Sequence, residues 1–220
     1  MIDQELLSEV SRYLFQHTDL RVLQGFRLGP SEREHIAKLL TYMDPPVGST
    51  WLDVGCGFGE PARLMAEIRP DLEFALLNNN RFQLDNTPVG MTTHFADMHA
   101  LPFADHTFDG VMFLYSLCHA DNIIMALNEA WRVVRPGGRL FVFDYVRIGG
   151  NDALSSKHLA SSFHHLGVLQ KYCRFTGWEI TDYDLPGGSD AVFRSHFEDQ
   201  ELYDRIFANL LPAVWWAVRR

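Results

Sequence analysis

Cysteine is scarce in this chain: three in 220 residues, far apart at Cys56, Cys118 and Cys173. That spacing supplies neither the paired thiols of a zinc site nor a disulfide framework. Each reads as a packed, reduced thiol, and no metal is expected. Positive charge is also in short supply, with 19 Lys and Arg against 28 Asp and Glu and a net charge of −9. Nucleic-acid binding needs a basic face, so this balance excludes it as a general role and leaves only a local basic pocket open. Long apolar runs are absent, and no stretch reaches the roughly 18 consecutive apolar residues of a membrane span. The opening Met1-Ile-Asp-Gln-Glu5 lacks the basic and apolar regions of a signal peptide, so a cytoplasmic protein is expected. Internal repeats and low-complexity segments are lacking too. What is there, with 47% hydrophobic residues, is an ordinary globular composition, long enough for one domain with a substantial core.

The most informative stretch is Trp51-Leu-Asp-Val-Gly-Cys-Gly-Phe-Gly-Glu-Pro61. An apolar run ends in Asp53. Three glycines follow at alternate positions, Gly55, Gly57 and Gly59, and a helix-compatible segment begins at Pro61. Strand, Gly-rich turn and helix let a backbone approach a nucleotide-like ligand closely. A dinucleotide site would want G-x-G-x-x-G to lodge a pyrophosphate at the helix N-terminus. Here the pattern is D-x-G-x-G-x-G, and a carboxylate before the turn suits a cationic ligand. S-adenosylmethionine has an ammonium, a sulfonium and no phosphate. A purely structural turn is the alternative.

Elsewhere, apolar runs and helical patterns alternate. Strands are predicted over 50–54, 72–77, 91–96, 109–114 and 138–146, and helices over 60–69, 81–86, 121–134 and 155–175. This alternation predicts a parallel sheet covered on both faces. Before it, residues 2–16 read as an amphipathic helix, and Ser31 with Glu34 makes a capping-box pattern for a second. After it come a strand over Trp178–Tyr183, a helix over 198–209 and a last strand over 214–218. The expected division is a helical cap (1–44), a cofactor-binding core (45–146), a variable substrate-side segment (147–197) and a closing helix and strand (198–220), all in one domain.

Three further segments complete an ordered set. Thr93-His-Phe-Ala-Asp97 precedes Leu101-Pro-Phe103. Phe108-Asp-Gly110 precedes Val111-Met-Phe-Leu-Tyr115. Arg135-Pro-Gly-Gly-Arg139 leads into Leu140-Phe-Val-Phe-Asp144. With the glycine turn, they make residues 45–146 resemble the class I methyltransferase family closely, and the remainder loosely. The resemblance implies a Rossmann-like α/β fold: a mostly parallel seven-stranded sheet with an antiparallel last strand, helices on both faces and an N-terminal helical extension. It also implies S-adenosylmethionine as cofactor. Gly55, Cys56 and Gly57 would pass the backbone along its methionine part, and Asp53 would face its ammonium directly or through water. Asn78 and Asn79 would meet the ribose, with Gln83 steadying that loop. Asp97 would accept the adenine amine hydrogen, with Met98 beside the ring and Leu114 continuing the wall.

A narrower likeness rests on Leu76-Leu-Asn-Asn-Asn-Arg-Phe-Gln83, Gly57-Phe-Gly-Glu-Pro-Ala-Arg63 and Cys118-His-Ala120. These resemble the sterol 24-C-methyltransferase family and its terpenoid C-methyltransferase relatives. Asn78 stands where most class I members have an acid, and an amide offers both a donor and an acceptor. Carbon methylation of an alkene needs aromatic faces to stabilise a cation and a base to take a proton. The candidate aromatics are Tyr13, Phe26, Tyr115, Phe143, Tyr145 and Phe163. Tyr115 stands where the sterol enzymes carry Glu, which leaves His119, Tyr115, Asp144 or a water as proton acceptor. The larger family members have a longer substrate region than 147–197, which favours an isoprenoid smaller than a sterol. Arg21, Arg27, Arg33 and His35, with Lys157, His158, His164, His165 and Lys171, offer a cationic rim for a prenyl diphosphate; ordinary solvated helix charge is the alternative reading. Small-molecule N- or O-methylation, a catalytically silent methyltransferase-like binding protein, and self-association into a homo-oligomer stay open.

Overall fold

Successive residues of a strand face opposite sides of a sheet, so the strand sequences here divide the core into two layers. The computed structural model describes residues 4–17, 25–150, 153–159, 161–196 and 198–220. Seven strands form one sheet: β1 (Thr50–Val54), β2 (Glu73–Asn78), β3 (Thr92–Phe95), β4 (Phe108–Leu114), β5 (Val134–Arg147), β6 (Trp178–Asp184) and β7 (Leu210–Arg219). Their order is β3-β2-β1-β4-β5-β7-β6. Strands β1 to β5 pair in parallel, and β7 is antiparallel to both β5 and β6. The expected seven-stranded, mostly parallel sheet with an antiparallel last strand is therefore the one observed.

The helices are α1 (Gln4–His17), α2 (Glu32–Met43), α3 (Glu60–Ile68), α4 (Arg81–Asp85), α5 (Ile123–Val133), α6 (Ala153–Leu159), α7 (Leu166–Phe175), α8 (Ala191–Arg194) and α9 (Gln200–Phe207). One layer joins Leu52, Val54, Val111, Phe113, Leu140 and Val142 to the apolar sides of α5 and α7. The other joins Trp51, Met112, Leu114, Phe141 and Phe143 to α2 and α3. Each fully buried apolar side chain contributes roughly 1.5–3 kcal/mol. That packing, more than intrinsic propensity, holds a helix as short as the nine-residue α3.

Local chemistry sets the helix ends. At α2, the Ser31 hydroxyl accepts from Glu34 N–H and the Glu34 carboxylate accepts from Ser31 N–H, both at 3.2 Å. This is the capping box expected from the sequence. At α9, Asp199 accepts from Leu202 N–H at 2.8 Å.

The single helix expected over 155–175 is two, α6 and α7, with an extended stretch before α7. Ser162 N–H donates to Cys118 O at 2.7 Å, and His164 O accepts from Arg147 N–H at 2.9 Å. The backbone there bonds outward to the turn after β4 and to the end of β5, using groups that a continuous helix would bond internally. Strands β5 and β7 also run longer than expected, pairing from Arg139 with Val218 to Arg147 with Leu210. Among the described residues no helix is long and apolar enough to cross a membrane.

Candidate active site

Strand order reverses between β1 and β4, and open parallel sheets bind ligands in the crevice outside the carboxyl ends of strands at such a switch. The glycine turn leaves β1 at this point. Gly55 N–H and Cys56 N–H both donate to Leu77 O, at 2.8 and 3.1 Å. Gly55 and Gly57 have φ of 75° and 57°, in the left-handed region that favours glycine. They differ in surroundings. A Cβ on Gly55 would meet Ser116 Cβ at 2.5 Å, whereas one on Gly57 would meet nothing within 4 Å. The first glycine lets the ends of β1 and β4 close on each other, and the second leaves bare backbone facing open space.

Asp53 is the most unusual group in the site. It is only 1% exposed, and neither carboxylate oxygen has a hydrogen-bond partner. Burial pushes its carboxyl up to about 7. An unpaired buried carboxylate is costly unless a cation or donor arrives to meet it. The adjacent Cys56 thiol is raised well above its ordinary value, first by burial and then by the Asp53 charge. It is thus a poor nucleophile at neutral pH.

At the end of β2, the buried Asn78 amide ties two loops together. Its Nδ2 donates to Gly57 O at 3.3 Å and to Gln83 Oε1 at 2.7 Å, and its Oδ1 accepts from Asn80 N–H at 3.2 Å. Asn79 beside it is exposed. Asn80 caps α4 by accepting from Gln83 N–H at 3.2 Å, and it donates to Ser8 Oγ of α1 at 3.0 Å. The Phe15 ring meets Phe58 of the glycine turn at 4.9 Å and Phe82 of α4 at 5.6 Å. Helix α1 therefore lies against both the glycine turn and α4. Beyond β3, Asp97 is exposed, and its Oδ1 accepts from His99 N–H at 2.8 Å and meets His99 Nδ1 at 2.6 Å. Met98 is half-buried against the core, and Leu114 is buried at the end of β4.

Tyr115 follows β4 with φ of 53°, a strained conformation for a bulky residue. Its N–H donates to Phe143 O at 2.7 Å, while its buried hydroxyl has no partner. Its ring lies 4.8 Å from Phe143 and 4.9 Å from Tyr145. Tyr145 continues to Phe207 at 5.3 Å. Phe26 and Phe163 pack in the same cluster, whereas Tyr13 is exposed on α1.

His119 is half-buried on the 3-10 turn Leu117–His119, with its Nδ1 3.1 Å from Ser161 Oγ. Asp144 anchors that turn: Oδ2 accepts from Cys118 N–H at 2.9 Å and Oδ1 from Tyr145 N–H at 2.8 Å. By strand alternation it shares the face of Leu140 and Val142. Burial raises its carboxyl to about 6. The three residues expected to compete as proton acceptor thus differ in engagement, and both oxygens of Asp144 already hold backbone.

Among the described residues, several of the basic groups have partners of their own. Arg27 donates to Glu32 at 2.8 Å, Lys38 to Leu28 O at 2.6 Å, and Arg33 pairs with Glu67 at 3.5 Å. His35 Nδ1 accepts from Leu28 N–H at 3.0 Å, and burial, then the Arg27 charge, lowers its pKa to about 4. Lys157, His165 and Lys171 are exposed, and Arg21 lies outside the described residues. Among the described residues, no group of three or more His, Cys, Asp or Glu is placed to hold a metal ion.

Residues 52–142 match the family described as a methyltransferase domain. On this sheet order, the matched segment resembles a class I methyltransferase domain. Squalene methyltransferase 1 of Botryococcus braunii is 28% identical over 146 residues, covering 62% of this chain and 38% of that protein. The sterol 24-C-methyltransferase of Schizosaccharomyces pombe is 33% identical over 150 residues, covering 63% and 39%. The chain spans about two-fifths of the length of these curated relatives. Among solved structures, the geranyl diphosphate C-methyltransferase from Streptomyces coelicolor A3(2) superposes with a TM-score of 0.72 at 14% identity, over 86% of this chain and 77% of that one. The [4+2]-cyclase SpnF gives 0.74 at 18% identity, over 98% and 91%. At such identities these structures establish the fold, and their differing names show how little of an activity a fold decides.

Two features of the site fit the S-adenosylmethionine expected from the sequence. The buried, partnerless Asp53 carboxylate calls for a cation, and the bare backbone at Gly57 leaves room for a close approach. Several residues around the site escaped the reading of the sequence. Asn80 carried a signal, since Asn three residues before Gln is a capping pattern. Ser116 and Ser161 carried none, because each meets a partner far away in the chain, Val54 O and His119, with several helices and strands between.

Proposed function

We propose that this chain is an S-adenosylmethionine-dependent methyltransferase that adds its methyl group to an alkene carbon of an apolar isoprenoid. Bound in the crevice, the cofactor supplies an activated methyl group on a positively charged sulfur. Asp53 receives its ammonium. The backbone at Gly55, Cys56 and Gly57 follows its methionine part. The Asn78–Asn79 turn, braced by Gln83, meets the ribose, and Asp97, Met98 and Leu114 frame the adenine. Residues 147–197 supply the acceptor side.

The observation that carries the carbon-methylation reading is the aromatic wall of Tyr115, Phe143 and Tyr145 at the carboxyl ends of β4 and β5; by strand alternation and register, Phe143 shares the sheet face of Asp53. Ring faces stabilise a carbocation without reacting with it, and the wall excludes water that would intercept one. His119 is the proton acceptor of choice, because Asp144 is engaged with backbone on both oxygens. The relatives' names, squalene and sterol methyltransferases, support an isoprenoid acceptor. Arg27 and Lys38 have partners within the protein, which supports recognition through the acceptor's apolar body over a diphosphate head.

The test is incubation with methyl-labelled cofactor and a panel of linear triterpenes, monoterpenes, prenyl diphosphates and phenols, followed by mass and position analysis of products. A new carbon–methyl bond on an alkene is expected. A methyl on oxygen or nitrogen would establish the small-molecule N- or O-methyltransferase instead. Absence of cofactor binding in calorimetry would leave a methyltransferase-like binding protein.

A further inference from the structure

Ser161 meets His119 across a separation of 42 residues, and its other contacts fix the sense of that hydrogen bond. A serine hydroxyl has one hydrogen and two lone pairs. Ser161 Oγ lies 2.7 Å from Leu159 O, and a carbonyl can only accept, so the hydroxyl hydrogen points there. At 3.1 Å from the same oxygen, His119 Nδ1 must then be the donor. A neutral imidazole carries one N–H. With the proton on Nδ1, the lone pair is on Nε2.

The surroundings hold this arrangement in place. Ser161 is 6% exposed, so water competes weakly for its oxygen. Its N–H donates to Ser156 O at 3.2 Å, and the next residue, Ser162, donates its N–H to Cys118 O at 2.7 Å. The 161–162 segment is therefore latched to the very turn that carries His119. On the other side of that turn, Asp144 holds Cys118 N–H, and the His119 N–H itself donates to Ser116 O at 3.1 Å. The Cys118 thiol also lies in hydrogen-bond reach of Ser161 and Asp144, and burial raises it well above its ordinary value, so it remains a neutral neighbour.

We propose that Ser161 is a positioning residue that fixes His119 as the Nδ1–H tautomer and so makes Nε2 the atom that accepts the proton in the reaction. This rests on the reading of His119 as the base. In that reaction the alkene electron pair forms the new carbon–methyl bond, and the electrons of the broken sulfur–methyl bond stay on sulfur. A proton then leaves the carbon next to the cationic centre for His119 Nε2, and its C–H electron pair closes the new double bond. No oxidant or further reactant is needed.

The test begins without substrate. The protein is labelled with 15N in its ten histidines, and long-range proton–nitrogen correlations are recorded at pH about 8.5, well above the ordinary imidazole pKa of about 6.5. His119 is assigned by loss of its signals in His119→Gln. The wild-type ring is expected as Nδ1–H. Ser161→Ala is expected to move it toward Nε2–H, and Ser161→Thr, which keeps a hydroxyl, to restore it. A wild-type ring found as Nε2–H, or a tautomer indifferent to Ser161→Ala, overturns the proposal. Should Ser161→Ala fail to fold, the wild-type and Ser161→Thr spectra still decide. With the acceptor identified from the substrate panel, Ser161→Ala should lower kcat by about 10–100-fold and leave the cofactor Kd within about twofold, since proton removal follows cofactor capture. A tautomer that shifts with unchanged kcat supports the assignment of Ser161 and overturns His119 as the base.

Discussion

Replacing Asp53 with Asn should make the ligand-free protein more stable and the cofactor weaker at the same time. The two effects share one cause. Asp53 is buried, neither oxygen has a partner, and its carboxyl sits at about 7 instead of its ordinary 3.8. That displacement corresponds to roughly 4 kcal/mol against the ionised form in the empty site. The sign follows from linkage. The native state binds more protons than the unfolded chain between about pH 4 and pH 7, so stability declines as pH rises through that window and is lowest above 7. The Asp53→Asn variant carries no charge there but still buries an amide, which returns about 1–3 kcal/mol of the gain. A net gain of about 1–3 kcal/mol is expected at pH 8. For a chain of this size that is roughly 2–12 °C in Tm. At pH 5, where the native Asp53 is protonated, the difference should disappear. Calorimetry with S-adenosylmethionine gives the other half. Loss of a buried charge partner costs about 2–5 kcal/mol, so Kd should rise by at least about 30-fold. In the wild type, binding below pH 7 should release a proton, detectable as a buffer-dependent enthalpy, and affinity should fall up to about tenfold per pH unit. A variant that is less stable at pH 8, or that binds cofactor as tightly as wild type, would refute this reasoning.

Three further outcomes are expected. Gly57→Val should fold, since an added Cβ there meets nothing, at a cost of about 1–2 kcal/mol for the left-handed backbone, and should lose cofactor binding. Gly55→Val should instead fail to fold against Ser116, so thermal melting and calorimetry separate the two glycines. Asn78→Ala removes the tie between the glycine turn and Gln83; Tm should fall by the equivalent of about 1–3 kcal/mol, and an unchanged cofactor Kd would show that the tie does not shape the site. Tyr115→Phe deletes a buried hydroxyl without a partner, so stability should hold or rise by about 1 kcal/mol. Retained turnover would leave the ring as the contributor, and its loss would implicate the hydroxyl.

The alternating α/β architecture was legible in the order of residues, because periodicity and turn chemistry are local. Trp51 to Pro61 already spelled strand, glycine turn and helix, and Ser31 with Glu34 marked the start of α2. The position of Asp53 before the turn was legible too, since it depends on neighbours a few residues away. The surroundings of each group came from the folded chain. Asp53 became a partnerless buried carboxylate because strand pleating turned it to the face of Trp51 and Met112, which the packed layer covers. Asp144 became an anchor for the 117–119 turn, and Arg27 and Lys38 found partners inside the protein. The helix predicted over 155–175 broke because residues 162 and 164 bond to Cys118 and Arg147, far away in sequence. Ser161 meets His119 for the same reason. Hydrogen-bond partners beyond a few residues, and the burial that gives them their strength, come from the packing of distant elements, which no local pattern of side chains encodes.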